Sequence, residues 1–314
     1  MTTIQSKPDE KSTFLSLLKR LIAKGLLPFV ITTSLAFFLT ARTWGLNLEL
    51  IVTVTAISIL VLAMVLERWM PFRQHWNDNH NDTRIDVTST SVLLAVIDPL
   101  LKYTAPVAVV VLYTVFDLSP FYPTMVGDSP FWLQLLLITL LIELARYWVH
   151  RLHHTVSGLW WLHAMHHSSQ RLYALNNFRF HPLNYLLMFM LSIFPLMLLG
   201  VPADLLLGYL ALSLPIIMLQ HANIDLQSGA LNYLFSSNEL HRWHHSASAA
   251  EANYNYGHAL IIWDQLFGTF KYQSDTNNMP QTVGLFKSSS QTYPTQSSYL
   301  VQLRSMFCWK CCRV

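Results

Sequence analysis

The sequence predicts an all-α protein: a polytopic bundle of membrane-crossing helices carrying a histidine-rich helical cap at its cytoplasmic end. Three observations lead there. Of 314 residues, 53% are apolar and only 12% charged, where an ordinary soluble domain carries roughly a quarter. The apolar residues gather into runs of bilayer-crossing length. Twelve of the fourteen histidines fall between His150 and His258. A soluble globule with so little charge would lack polar surface to cover itself, and a disordered chain could not leave this much apolar surface in water. Twenty Lys+Arg against seventeen Asp+Glu leave +3, too weak a bias to argue for nucleic acid. The three cysteines, Cys308, Cys311 and Cys312, all lie in the last seven residues, so no disulfide framework braces the body of the chain.

Taken in order, residues 1–25 are polar and basic, with Lys7, Lys11, Lys19, Arg20 and Lys24. They lack a small-residue cleavage site, so a cytoplasmic segment followed by a retained anchor is expected. The runs 26–41 and 50–66 lie near the lower limit of about 17 residues for crossing the hydrocarbon core. A third span, 91–116, carries Asp98 and Lys102 four residues apart, on one helical face. Such a pair is tolerable in a bilayer only when it faces other helices. The fourth span is 131–149. The runs 185–199 and 205–219 read as a helical hairpin despite Pro195 and Pro215. Basic residues mark one side: the N-terminus, then Arg68, Arg73 and Arg84, then Arg146 to Arg179, then Arg242 onward. The opposite loops hold only Arg42, with Asp117 and Asp128 in 117–130. The positive-inside rule then puts both termini and every histidine cluster in the cytoplasm. The expected organisation is a segment 1–25, transmembrane helices in 26–129, a histidine-bearing unit in 130–272 and a cytoplasmic tail in 273–314. The tail cysteines make a poor zinc site.

The fourth span ends in His150-Arg-Leu-His153-His154. Next come His163-Ala-Met-His166-His167 and, later, His241-Arg-Trp-His244-His245. Spacings of three and four place imidazoles on one helical face, where two can share a metal. A lone histidine on an apolar face is usually a hydrogen-bonded core residue; three clusters at one spacing on one side of a membrane argue for metal. Eight clustered imidazoles exceed the four ligands of a tetrahedral zinc and suit two metals with open positions. Imidazole serves zinc, copper, iron and nickel alike, so ligand type does not choose among them. His153 points about 100° away from His154 on the helix and reads as a neighbour. His258 reads as a surface or supporting residue, and His75 and His80 as a solvated loop. Metal-bound imidazoles need acceptors for their other ring N–H. Glu143, seven residues before His150, is a candidate, with a salt bridge to Arg146 as the alternative. His181, Asp225, Asn238, Glu239 and Asp264 are further candidates.

His-Arg-x-x-His at 150–154, His-x-x-His-His at 163–167 and 241–245, Asn255-Tyr256-Gly257 and the run from Trp263-Asp264 to Gly268-Thr269 together resemble the fatty acid hydroxylase (sterol desaturase) superfamily. The resemblance covers about residues 130–272. It implies an integral-membrane non-haem di-iron enzyme that uses O2 and two electrons to hydroxylate or desaturate a lipid C–H bond. It carries iron ligation onto His150, His154, His163, His166, His167, His241, His244 and His245, and suggests His221 as a further ligand. The implied substrate is a sterol, fatty acyl chain, carotenoid or ether-type lipid. Electrons are expected from a separate ferredoxin, cytochrome b5 or reductase, because no cytochrome b5 or flavin/nucleotide module is apparent in the roughly seventy residues after the last box. An inactive metal-binding relative and a di-zinc enzyme of the same fold stand as alternatives.

Overall fold

The computed structural model describes residues 10–122, 127–273, 279–280 and 282–307; Cys308, Cys311 and Cys312 lie outside the described residues. Among the described residues the chain is helical, with three isolated bridges and no β-strand. Five helices are long and apolar enough to cross a bilayer.

Helix α1 (Glu10–Thr43) runs without a break through the boundary expected at residue 25. Leu, Lys and Arg in its first half are good helix formers, and burial of Ala23, Leu26 and Leu27 ties that half to the bundle. Its 34 residues extend about 50 Å, against a hydrocarbon core of about 30 Å. Helix α2 (Leu48–Trp69) starts where the Asn47 side chain accepts the Leu50 N–H at 2.9 Å, an ordinary N-cap. The third span is longer than expected. Helix α3 (Thr83–Val92) passes through a π-turn (Leu93–Ile97) into α4 (Asp98–Phe116). Pro99 accounts for the widened turn, because its ring displaces the carbonyl four residues back. The expected Asp98–Lys102 pairing does not form. Lys102 instead pairs with Glu49 at the head of α2, and Asp98 accepts from the Tyr185 hydroxyl at 3.0 Å.

Helix α5 (Phe131–Thr155) carries the fourth span and continues through the first histidine cluster; α6 (Ser157–His167) follows after a single-residue break. The expected span 185–199 is two short pieces, α7 (Pro182–Ser192) and α8 (Phe194–Leu198), broken next to Pro195. Together they are an apolar stretch shorter than the five spans. Helix α9 (Ala203–Gln220) returns alongside α1, α2 and α5. Gly208 permits that approach: a Cβ there would lie 3.0 Å from Leu135 and 3.2 Å from the Phe38 ring.

At one end of this bundle the C-termini of α2, α5 and α9 meet the N-terminus of α7. Glu67, near the end of α2, accepts the Ala174 and Asn223 N–H groups at 2.8 and 3.3 Å. Above that plane lie α6, α10 (Asn238–His244) and the segment 282–307. That last segment is more than a tail. Phe286 stacks on Trp160 with ring centroids 4.6 Å apart, and Gly284 N–H donates to the His245 carbonyl at 3.0 Å.

Candidate metal centre

Nine histidines converge at the capped end, in two adjacent groups. His150, His154, His163, His167 and His244 form one; His166, His221, His241 and His245 form the other. Within each group one ring nitrogen per residue lies within 4.8 Å of all the others, a set that can hold a metal ion. All nine are buried. Helical spacing distributes them: α5 supplies His150 and His154 to the first group, while α6 sends His163 and His167 to the first and His166 to the second. His221 caps the C-terminus of α9.

The hydrogen-bond partners of the rings show which nitrogens are free. His150 Nδ1 lies 2.8 Å from the Tyr256 carbonyl and His163 Nδ1 lies 3.1 Å from Asn184 Oδ1. His221 Nδ1 is 2.7 Å from Asn176 Oδ1, and His244 Nδ1 is 3.0 Å from the Tyr254 carbonyl. Each of these partners is an acceptor, so the proton sits on Nδ1 and a lone pair is left on Nε2. Yet His150 Nε2 and His163 Nε2 face each other at 3.0 Å. Two lone pairs at that distance repel, and a cation among them turns the repulsion into ligation. Both ring nitrogens of His154 and of His167, and Nε2 of His244, are likewise buried with no hydrogen-bond partner. Unpartnered buried polar atoms each cost about 1–3 kcal/mol. The donor set therefore fits bound metal better than a hydrogen-bonded core. Protonation agrees. Burial, reinforced by neighbouring imidazoles, holds His163, His166, His167, His221, His241 and His245 well below the usual imidazole range, and burial lowers His244 to about 4. These rings are neutral at pH 7, the form that binds metal.

The acceptor candidates from sequence fall elsewhere. Glu143 is fully buried but touches no histidine of either group; its oxygens take the Tyr209 hydroxyl at 2.7 Å and the Ala259 and Leu260 N–H groups at 2.8 and 2.7 Å. It makes no salt bridge to Arg146 either. His181 caps α7, accepting the Leu183 N–H at 3.1 Å. Glu239 accepts from Ser228 N–H and Asn232 Nδ2. Asp225, half-buried, bears on the Arg242 guanidinium, and Asn238 donates to the Ile224 carbonyl at 3.0 Å. Asp264 acts at one remove. It accepts the Tyr256 and Gly257 N–H groups, each at 2.7 Å, and so fixes the turn whose Tyr256 carbonyl holds His150. Burial pushes its carboxyl up to about 7. His153 stays outside both groups, with Nδ1 on the Val149 carbonyl at 2.6 Å. His258 lies against Arg146 and Glu143. The acceptors that do hold the rings, Asn176, Asn184 and the carbonyls of Tyr254 and Tyr256, were missed. A backbone carbonyl leaves no signature in a sequence, and Asn176 and Asn184 lie in a connecting loop and a helix start with no spacing relation to the boxes.

Fold and site define an integral-membrane protein with a buried, all-histidine centre able to hold two metal ions. The fatty acid hydroxylase family matches residues 135–269. The chain is 36% identical over 223 residues to the ornithine lipid hydroxylase OlsE of Rhizobium tropici, covering 69% of this chain and 66% of that protein. It is 30% identical over 134 residues to the alkylglycerol monooxygenase of Danio rerio, covering 43% of this chain and 30% of that protein. The matched part thus spans just under two thirds of the first relative and less than a third of the second. No solved structure matches the chain. Residues 135–269 thus carry the domain of the fatty acid hydroxylase family.

Proposed function

We propose that this chain is a membrane-embedded lipid hydroxylase with two iron ions, one in each histidine group. The observation that carries the reading is the pair of abutting all-histidine groups, with lone pairs facing each other where a hydrogen-bonded core would place a proton. When bound, the iron pair supplies O2 activation by two-electron chemistry. The net reaction takes a lipid C–H, O2, two electrons and two protons to the alcohol and water. The electrons require a separate donor, a ferredoxin, cytochrome b5 or reductase, docking on the cap. The proposed ligands are His150, His154, His163, His167 and His244 in one group and His166, His221, His241 and His245 in the other.

The protein's own part is positional. The acceptors on His150, His163, His221 and His244 keep each proton on Nδ1 and each lone pair aimed inward. Burial keeps the rings neutral and excludes water from the site. No side chain of the centre serves as a nucleophile. The positive-inside rule supports a cytoplasmic cap with both termini on that side, and residues 130–272 form the proposed catalytic unit. The relatives' names, a hydroxylase and a monooxygenase acting on lipids with polar heads, favour hydroxylation over desaturation and a polar membrane lipid as substrate. Comparative lipid mass spectrometry of membranes with and without the intact protein tests this. Under labelled O2, one lipid class should gain a single labelled oxygen only when the protein is present; an unchanged lipid profile with fully metal-loaded protein would contradict the reading.

A further inference from the structure

Arg146 stands one helical turn before His150 on α5, on the same face and on the bilayer side of it. A guanidinium at this depth is expensive unless paired, yet among the described residues no ion pair includes it. The nearby carboxylate of Glu143 is taken by Tyr209 and by the Ala259 and Leu260 N–H groups. Arg146 meets instead the ring of His258, through Nη1 alone. Burial first, and the Arg146 charge second, lower His258 to about 4, so this partner brings no compensating charge. The Tyr209 ring lies 5.6 Å from the guanidinium carbon and walls the other side. Arg146 Nε is buried and has no hydrogen-bond partner. The Nε–Nη2 edge, two parallel N–H groups spaced for a carboxylate or phosphate, is left unengaged.

Arg146 thus stands beside the metal centre with its Nε–Nη2 edge open, while its nearest carboxylate, Glu143, is held by other donors on the far side of the His258 ring, a geometry that suits an anion arriving through the membrane. We propose that Arg146 binds the head of the lipid substrate, and that this head carries an anionic group, carboxylate or phosphate, within about 10 Å of the carbon that is oxidised, one helical turn plus side-chain reach. The proposal rests on the lipid hydroxylase reading and narrows it. Neutral sterols, carotenoids and diacylglycerols then bind poorly, and oxidation falls near the head rather than at the far end of an acyl chain.

Binding to the full, metal-free chain in detergent micelles tests it, read by intrinsic tryptophan fluorescence. The probes are N-oleoylglycine for the carboxylate, dioleoylphosphatidic acid for the phosphate and dioleoylglycerol as the neutral control. The unaltered protein should bind at least one anionic probe tenfold or more tighter than dioleoylglycerol, and the one preferred identifies the anion. Arg146→Gln should abolish that preference and leave the neutral lipid unchanged. Arg146→Lys, which keeps the charge but loses the paired donors, should fall between. Equal affinity of the unaltered protein for anionic and neutral probes would overturn the proposal without any variant. So would an Arg146→Gln protein that keeps the preference, or one that weakens all three probes alike. Because binding is read without metal, a failure of the hydroxylase reading, whether by the wrong metal or by no oxygen transfer, leaves these affinities where they are.

Discussion

His221 precedes His241 by 20 residues and lies outside every box, yet its Nε2 is 3.0 Å from that of His241. Helical spacing alone cannot find such a residue, because it reports neighbours on one helix and not the helix ends that a bundle gathers. The eight box histidines were legible as a cluster for the opposite reason: three and four are local distances. Their partition, five to one group and three joining His221 in the other, was not legible, since it depends on how α6 is turned between the two groups. His221→Ala is expected to lose bound iron and activity as fully as His244→Ala, measured by elemental analysis and lipid mass spectrometry. His153→Ala is expected to keep metal and measurable activity and to lose about 1 kcal/mol of stability with its bond to Val149. Asn184→Leu strips the His163 ring of its acceptor and should weaken metal binding about 10–100-fold, the usual cost of such a loss, in a chelator competition.

Among the elements, the turn at 255–257 shows what a short motif does. Asn255 adopts φ 57°, and a Cβ on Gly257 would lie 2.2 Å from the Leu260 carbonyl oxygen. Gly257→Ala must therefore move the turn, and with it the Tyr256 carbonyl beneath His150. The expected result is at least a tenfold loss of metal affinity with helical content by circular dichroism intact. The motif was visible in the sequence as a shaped turn; its contact with a histidine 106 residues away in the chain was not. The spans divide in the same way. Apolar runs located α2, α5 and α9, while the starts of α1 and α3 were misjudged: polar, helix-forming residues extend α1 past the apolar stretch, and α3 is held by the tertiary contacts of Asp86 with Arg179 and of Ser89 with the Phe178 carbonyl despite its poor helix formers. Asp98 and Lys102 were read as partners from their spacing of four, but helices packed alongside offered each a different one.

For the molecule as a whole, the cap closes only when segments remote in sequence arrive together. Removing residues 282–307 would strip Phe286 from Trp160 and Gly284 from the His245 carbonyl, and should speed loss of metal to a chelator about tenfold or more. The neutral imidazoles also set a pH dependence. Six cap histidines lie well below 6.5 and His244 and His258 near 4 in the folded chain, whereas the unfolded chain takes up protons near 6.5. Stability of the metal-free protein from these groups is present above pH 6.5 and is lost as pH falls toward 4, because the unfolded state binds more protons there. Thermal melts across that range should show the fall. The all-helical membrane architecture followed from composition and apolar runs; the lid over the site did not, because residues 273–314 are polar enough to pass for a tail.

Two abutting groups predict two metals, and counting them is the most direct test. The full chain, purified anaerobically with iron supplied, should contain two iron atoms, falling to about one in His163→Ala, from the first group, and in His221→Ala, from the second, if each group holds its own ion. One zinc and no iron under the same conditions would contradict the account.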